Sequence, residues 1–183
     1  NQIASLLADH LLRNRVDELT PRHYLVKTLV TTELLRCIAD HYHIQTHGDL
    51  LVGFKYIAEQ IDQSGPELFV FGAEESFGYL AGTYARDKDA TVAALLLSEL
   101  AAELKSDNKT LLDRLDELYV CHGFHIETAA SKACAGADGA RKIKQLMQQL
   151  REQPPAKIGE DAFTEVRDYG NLETRVLPEN TKT

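Results

Sequence analysis

Apolar residues fall at Ile3, Leu6, Leu7, Leu11 and Leu12, the spacing that turns one side of an α-helix toward a core. The pattern runs into a polar turn at residues 18–23 that contains Pro21. Residues 24–30 (YLVKTLV) are short, β-branched and aromatic, which predicts a strand. Thr31, Thr32 and Glu33 then supply a helix start ahead of Leu34, Leu35, Ile38 and Ala39. The order repeats. Residues 44–51 can hold a short strand, Gly53 opens a helix through Tyr56, Ile57 and Ile61, and Ser64-Gly65-Pro66 ends it. LFVFG at residues 68–72 has the apolar run of a buried strand.

A loop is expected at residues 73–86, followed by a long apolar helix from about 89 to 105. Asn108 is a plausible cap for a further helix carrying Leu111, Leu112, Leu115, Leu118 and Tyr119, with Gly123 as its terminator. Beyond Gly123 the texture changes. Residues 124–131 (FHIETAAS) alternate partly like a strand, Gly136 and Gly139 mark a turn, and residues 140–151 form an amphipathic helix through Ile143, Leu146, Met147 and Leu150. Pro154-Pro155 stops that helix, and residues 163–169 offer one more strand. Strands alternating with helices of these lengths point to an α/β fold, a wound mixed sheet flanked by helices. We place it in residues 1–121, with an incomplete α+β segment in 122–183. No repeat or low-complexity segment is evident.

Composition narrows the partners. The 183 residues carry 20 Lys+Arg against 28 Asp+Glu, a formal charge of −8. A nucleic-acid partner is disfavoured, since phosphate-backbone affinity comes from a concentrated basic face. A membrane span is not expected either. The most apolar stretch, residues 90–104, is interrupted by Thr91, Ser98, Glu99 and Glu103, well short of the ~20 apolar residues that cross a bilayer. Cys37, Cys121 and Cys134 make an odd set without a CxxC pair, which suits reduced thiols in a cytoplasmic compartment. The sequence opens at Asn1 without a methionine, so a piece of a longer protein is expected.

In an α/β sheet, ligands collect beyond the carboxyl ends of the strands. The stretch FGAEESFGYLAGTYARDKDA falls there. It offers carboxylates at Glu74 and Glu75, a hydroxyl at Ser76, glycines at 72, 78 and 82, and cations at Arg86 and Lys88. A polyol suits that set, because carboxylates accept strong charge-assisted hydrogen bonds from sugar hydroxyls. Lys88 stands at a helix start, where the positive end of the dipole disfavours a cation. Asp87 and Asp89 can compensate locally, or Lys88 and the helix start can face a substrate anion such as phosphate. From composition alone, Glu74-Glu75-Ser76 reads first as a solvated loop, since two adjacent acids are common. Gly53-Phe54-Lys55 can present amides and an ammonium to an anion, or be a plain strand-to-helix turn. His41 and His43 lack further ligands at zinc-like spacing, and Asp87-Lys88-Asp89 is too sparse for magnesium, so no metal is assigned to this chain. No Ser–His–Asp set, Cys–His set or GxxxxGK[ST] loop can be assigned.

With GAEESFGYL followed by RDKDA and preceded by VGFKYIAEQI, the chain resembles the α-D-phosphohexomutases, the phosphoglucomutases and phosphomannomutases, in their phosphopentomutase-like branch. KTLVTTELL, DATVAALLLSELAAELKSDNKTLLDRLDELY and GADGARKIKQLMQQLREQPP extend the likeness over nearly the whole chain. Members have four domains, and the resemblance implies that residues 1–121 are the third, with 122–183 leading into the fourth. It implicates Glu74 and Ser76 as sugar contacts, Glu75 as support for their loop, and Lys88 near the reacting phosphosugar. Gly53 and Lys55 match a family turn usually written TGFK or TGWK, with Val52 replacing a threonine hydroxyl.

The family's phosphoserine, its DxDxDR magnesium loop and its RPSGTEP phosphate loop have no match here. The resemblance therefore implies a cytoplasmic enzyme in which magnesium and nucleophile come from outside this chain. Phosphate would move within a hexose or pentose monophosphate through a bisphosphorylated sugar of the glucose-1,6-bisphosphate type. This segment would supply sugar recognition, work with the other domains of the same polypeptide, and be inactive alone. Two alternatives remain open: a non-catalytic scaffold domain of mutase ancestry, and an α/β domain binding another phosphorylated metabolite.

Overall fold

The computed structural model describes residues 1–128, 131–177, 179 and 181–182. Residues 1–128 and 129–183 form two compact units.

In the first unit the expected alternation is realised as α1 (Gln2–Asn14), β1 (Tyr24–Thr28), α2 (Leu34–His41), β2 (Gln45–Leu50), α3 (Phe54–Ser64), β3 (Phe69–Glu74), β4 (Gly78–Ala81), α4 (Ala90–Ser106) and α5 (Leu111–His122). The sheet order is β2-β1-β3-β4, with β1 parallel to both neighbours and β4 antiparallel to β3. This is the mixed sheet flanked by helices that the sequence predicts.

Strand periodicity explains the layers, because successive side chains leave a strand on opposite faces. Leu25 joins the core under α1, α2, α4 and α5, together with Leu7, Leu12, Ile38, Leu100 and Leu118. Its neighbours Tyr24 and Val26 join the core under α3, with Phe54, Ile57 and Ile61. In β3 a register shift separates the pairs Tyr24↔Phe69 and Leu25↔Phe71. That irregularity lets Val70 and Phe71 enter the first core while Phe69 enters the second. Buried Asp9 on α1 pairs with Arg114 on α5 at 2.7 Å, tying two helices of the thicker layer together.

Four local expectations are corrected. Residues 73–86 are not all loop: β3 runs to Glu74 and turns back as β4, pairing Glu74↔Gly78, Ala73↔Tyr79, Gly72↔Leu80 and Phe71↔Ala81. Residues 75–77 make the turn, and Phe77 takes the left-handed conformation, φ 63°, that closes a three-residue hairpin loop. Asn108 does not cap α5. It sits at φ 57° in the turn that ends α4. Thr110 is the cap, its hydroxyl accepting from the Asp113 N–H while the Asp113 carboxylate accepts from the Thr110 N–H.

Residues 124–128 form no strand. Phe124 and Ile126 are 72% and 76% exposed, so the alternation has no sheet face to bury against. Residues 129 and 130 of that stretch lie outside the described residues. The following helix begins at Gly136, not after Gly139, with Asp138 in its first turn to complement the dipole.

The second unit contains this helix, α6 (Gly136–Glu152), a short hairpin of β5 (Lys157–Ile158) and β6 (Asp161–Ala162), and an antiparallel sheet of β7 (Glu165–Asp168), β8 (Glu173–Val176) and β9 (Thr181–Lys182). Arg151 of α6 holds Asp168 of β7 at 2.9 Å. Gly139, Arg175 and Leu177 are buried here among the described residues, too few for a core of the first unit's kind.

Candidate functional site

The connection leaving β1 runs through α2 to one edge of the sheet, whereas the chain leaving β3 turns toward the other edge as β4. β1 and β3 are parallel neighbours, so their carboxyl ends part at a switch point, the place where open α/β sheets bind ligands. Thr28 ends β1 and Glu74 ends β3 there.

Glu74 lies only 6% exposed at its strand end. Its carboxylate folds across the cross-strand neighbour Gly78: a β-carbon placed on Gly78 would stand 2.8 Å from Glu74 Oε2 and 3.3 Å from Lys88 Cδ. Any side chain at 78 would displace both groups, so glycine is what lets carboxylate and lysine stem share that space. The Lys88 ammonium lies 5.8 Å from the Phe54 ring centroid, at the first residue of α3. Glu74, Gly78, Lys88 and Phe54 thus converge from the hairpin, the approach to α4 and the start of α3. No hydrogen bond or ion pair engages the Glu74 carboxylate among the described residues.

Local neutralisation of Lys88 is present. Asp87 Oδ1 accepts from its backbone N–H at 2.8 Å and pairs with its ammonium at 3.0 Å, and the hydrogen bond from the Lys88 side chain holds the Asp87 carboxyl below its ordinary range. Asp89 caps α4 by accepting from the Thr91 and Val92 N–H groups and takes a further bond from Tyr84 Oη at 2.7 Å. That Tyr84 bond, with the capping bonds behind it, holds the Asp89 carboxyl low.

Across the switch point, Thr28 Oγ1 donates to Glu75 Oε2 at 3.3 Å and shares a 2.8 Å hydrogen bond with Thr31 Oγ1. Behind these hydroxyls lies Lys27, 0% exposed. Its ammonium donates to Thr31 O at 2.8 Å and Thr28 O at 3.3 Å and pairs with Glu33 at 2.7 Å. Glu33 is partly buried, which pushes its carboxyl up, but hydrogen bonds from Lys27 and Arg36 prevail and hold it below its ordinary range.

The sequence-derived candidates divide into groups. Glu74, Glu75 and Lys88 stand at the switch point, with Ser76 exposed at the hairpin turn. Gly53 precedes Phe54 as the cap position of α3, and exposed Lys55 turns its ammonium over the Tyr56 ring at 4.8 Å. Arg86 is not brought to Glu74. It pairs with Asp62 at 2.7 Å and with the Thr83 and Ala85 carbonyls, and Asp62 lies two turns along α3 from Phe54.

Sequence reasoning missed Lys27, Thr28, Thr31 and Phe54. A lysine and three threonines in KTLVTT, at a strand's carboxyl end, were the available signal. No His, Cys, Asp or Glu cluster suited to a metal ion occurs among the described residues. Cys37 Sγ and His125 Nε2 lie 3.8 Å apart, and all three cysteines are free. No helix among the described residues is long and apolar enough to cross a membrane. A shallow depression of about 610 Å³ on α5, lined by Lys109, Asp113 and Glu117, lies away from the strand ends.

Residues 1–120 match the family model described as phosphoglucomutase/phosphomannomutase, alpha/beta/alpha domain III. Phosphoglucomutases of Staphylococcus aureus strains MRSA252 and bovine RF122 / ET3-1 are each 32% identical over 182 residues, covering 99% of this chain and 32% of theirs. The chain therefore spans about a third of the length of these relatives. Among solved structures, a protein provisionally described as a phosphomannomutase from Thermus thermophilus is similar with a TM-score of 0.55 at 25% identity. That likeness covers 67% of this chain and 25% of the other. The open form of Paramecium pp63/parafusin, a phosphoglucomutase, shares the fold with a TM-score of 0.56 at 17% identity, over 94% of this chain and 30% of that one.

Proposed function

The chain belongs to the phosphoglucomutase/phosphomannomutase family, and on that premise we propose that residues 1–121 are the sugar-recognition domain of a larger phosphosugar mutase, with 122–183 leading into its next domain. The observation that carries this reading is Glu74, a residue only 6% exposed whose carboxylate has no protein partner among the described residues and stays open to solvent, packed with the Lys88 stem over Gly78. A carboxylate is an acceptor with two oxygens. Left without donors inside the protein, it suits the paired hydroxyls of a sugar, and charge-assisted bonds of this kind are roughly twice as strong as neutral ones.

Within this reading each residue has a role. Glu74 and Ser76 accept and donate to sugar hydroxyls, and Glu75, held by Thr28, keeps the hairpin turned toward them. Lys88 stands near the reacting phosphosugar and offsets phosphate charge, with the exposed Asp87 carboxylate beside it. The start of α3, with Gly53 and Lys55, offers amides and a second ammonium to an anion. Arg86, fixed to Asp62, supports the loop that carries Lys88.

The described residues do not fit the family's magnesium, since the Asp89 oxygens are occupied by capping and Tyr84, and Asp87 is occupied by Lys88. Its ligands, like the phosphoserine and the second phosphate-binding loop, belong to other parts of the polypeptide in this proposal. What residues 1–121 contribute is positioning and charge complementarity, which dominate phosphoryl transfer. A cytoplasmic location and a glucose-1,6-bisphosphate-type intermediate go with the same reading.

The test is Glu74→Gln in the full-length enzyme. Replacing a charged acceptor by a neutral one of equal shape should cost ~1.5–3 kcal/mol of transition-state stabilisation, lowering kcat/KM for a phosphosugar about 10- to 150-fold. Unchanged kinetics would remove the hairpin from the site.

A further inference from the structure

A fully buried lysine needs a reason, because taking an ammonium out of water is costly unless its donors are all satisfied. Lys27 satisfies that condition. Its donors go to the carbonyls of Thr28 and Thr31 and to the Glu33 carboxylate. The two carbonyls belong to one tight turn, closed by the Thr31 N–H donating to Thr28 O at 3.1 Å. The ammonium therefore pins both ends of the β1–α2 connection from the inside, and Glu33 at the start of α2 fixes it from the helix side.

The neighbouring strand makes room for this arrangement. A β-carbon at Gly48 of β2 would stand 3.1 Å from Lys27 Cε and 2.5 Å from an Arg36 guanidinium nitrogen, so the missing side chain is the path by which both cationic stems reach Glu33.

The outer side of the same turn faces the ligand edge. With its carbonyls held from within, the turn presents its hydroxyls toward β3 as a relay: Thr31 Oγ1 donates to Thr28 Oγ1 at 2.8 Å and Thr28 Oγ1 donates to Glu75 Oε2 at 3.3 Å, with Ala73 O 3.5 Å from Thr31 Oγ1. Glu75 and Ala73 flank Glu74 on the hairpin.

We propose that Lys27 is a positioning residue for the sugar-recognition hairpin, setting the place of Glu74–Ser76 by fixing the turn whose Thr28 hydroxyl holds Glu75. Its ammonium does not touch the substrate. The link runs through the Thr28 and Thr31 carbonyls, the two hydroxyls and then Glu75. The proposal rests on the reading of Glu74–Ser76 as the sugar contact, but its structural half is testable without it.

The first experiment uses the 183-residue chain. Amide spectra of Lys27→Met and Thr28→Val are compared with wild type, and shifts are expected at residues 74–78 while the α5 amides stay in place. Thr28→Val removes only the hydroxyl bridge and keeps the inquiry open should Lys27→Met fail to fold. If hairpin amides are unmoved in folded Thr28→Val, the link is absent and the proposal is overturned.

The second uses the full-length enzyme. Lys27→Met should raise KM for the phosphosugar by about 3- to 10-fold, the weight of a displaced hydrogen bond. In a double-mutant cycle, Lys27→Met with Glu75→Ala, which removes the acceptor, should lose no more than the worse single change. Additive losses would mean that Lys27 acts apart from Glu75 and would overturn the proposal. Failure of the sugar-contact reading looks different: Glu74→Gln would then be kinetically silent while the hairpin amides still respond to Thr28→Val.

Discussion

Lys27 and Lys88 stand at the same edge of one sheet, one sealed inside it and the other open to water. Lys27 has a fixed set of acceptors in the β1–α2 turn and α2. Lys88 is exposed, rests near the Phe54 ring, and pairs with the adjacent Asp87. An exposed pair of that kind adds little to stability, because water screens it and two side chains must be ordered to form it. A buried donor set, by contrast, cannot be removed without leaving polar groups unpaired. One cation is committed to the fold, and the other remains free to meet something outside it. Truncation should therefore cost mainly stability at Lys27 and activity without stability at Lys88.

The largest effect on folding is expected from Lys27→Ala. Loss of the stem and of three acceptors' partner should cost about 2–4 kcal/mol in urea or guanidinium unfolding of the 183-residue chain. A change below half a kilocalorie would erase the contrast between the two lysines. Lys88→Ala should do the reverse. Its unfolding free energy should stay within about 0.5 kcal/mol of wild type, while kcat/KM of the full-length enzyme falls by about 10-fold or more, the scale of one charged hydrogen bond.

Gly78→Ala comes next. The new methyl would meet the Glu74 carboxylate and the Lys88 stem, both flexible ends of side chains, so the fold should lose no more than about 1 kcal/mol while KM rises several-fold. Equal losses in stability and KM would mean that Gly78 serves packing alone.

The smallest expected effect concerns pH. The Glu33 carboxyl is lowered below its ordinary value of 4.5 in the folded chain, so its contribution to stability is present above that value and is lost as the pH falls through the lower folded one. Thermal unfolding from pH 6 down to pH 3 should show this acid-side loss, and Glu33→Gln should flatten part of it. A wild-type slope retained in Glu33→Gln would assign the acid sensitivity to other carboxylates.

The two lysines also mark the reach of sequence reasoning. The alternation of strands and helices was legible because LFVFG, the Leu-rich helices and the punctuating Gly53 and Gly123 carry strong local signals. Lys88 drew notice for the same reason, lying in a polar run ahead of a helix, and its role there is a proposal. Lys27 did not, since a lysine within YLVKTLV reads as an outward residue of a strand, and its acceptors become apparent only when the β1–α2 turn is folded. The hairpin was missed because EESFG has loop composition and its left-handed position is filled by Phe77, where glycine would have signalled the turn. The pairing of Arg86 with Asp62, 24 positions away, could not be read from the local run that also carries Lys88. Residues 124–128 carried strand-like alternation without a neighbouring strand to use it.

The tie between β4 and α4 has a consequence for recognition. The Asp89 N–H donates to Tyr79 O at 2.7 Å, one residue beyond Gly78, and Tyr84 closes the intervening loop onto the Asp89 carboxylate. The backbone that carries Glu74 and Lys88 is therefore one mechanical piece, while the ends of the two side chains stay flexible. In the proposed site, a ligand that engaged both would have to order two side chains but not the loop that carries them.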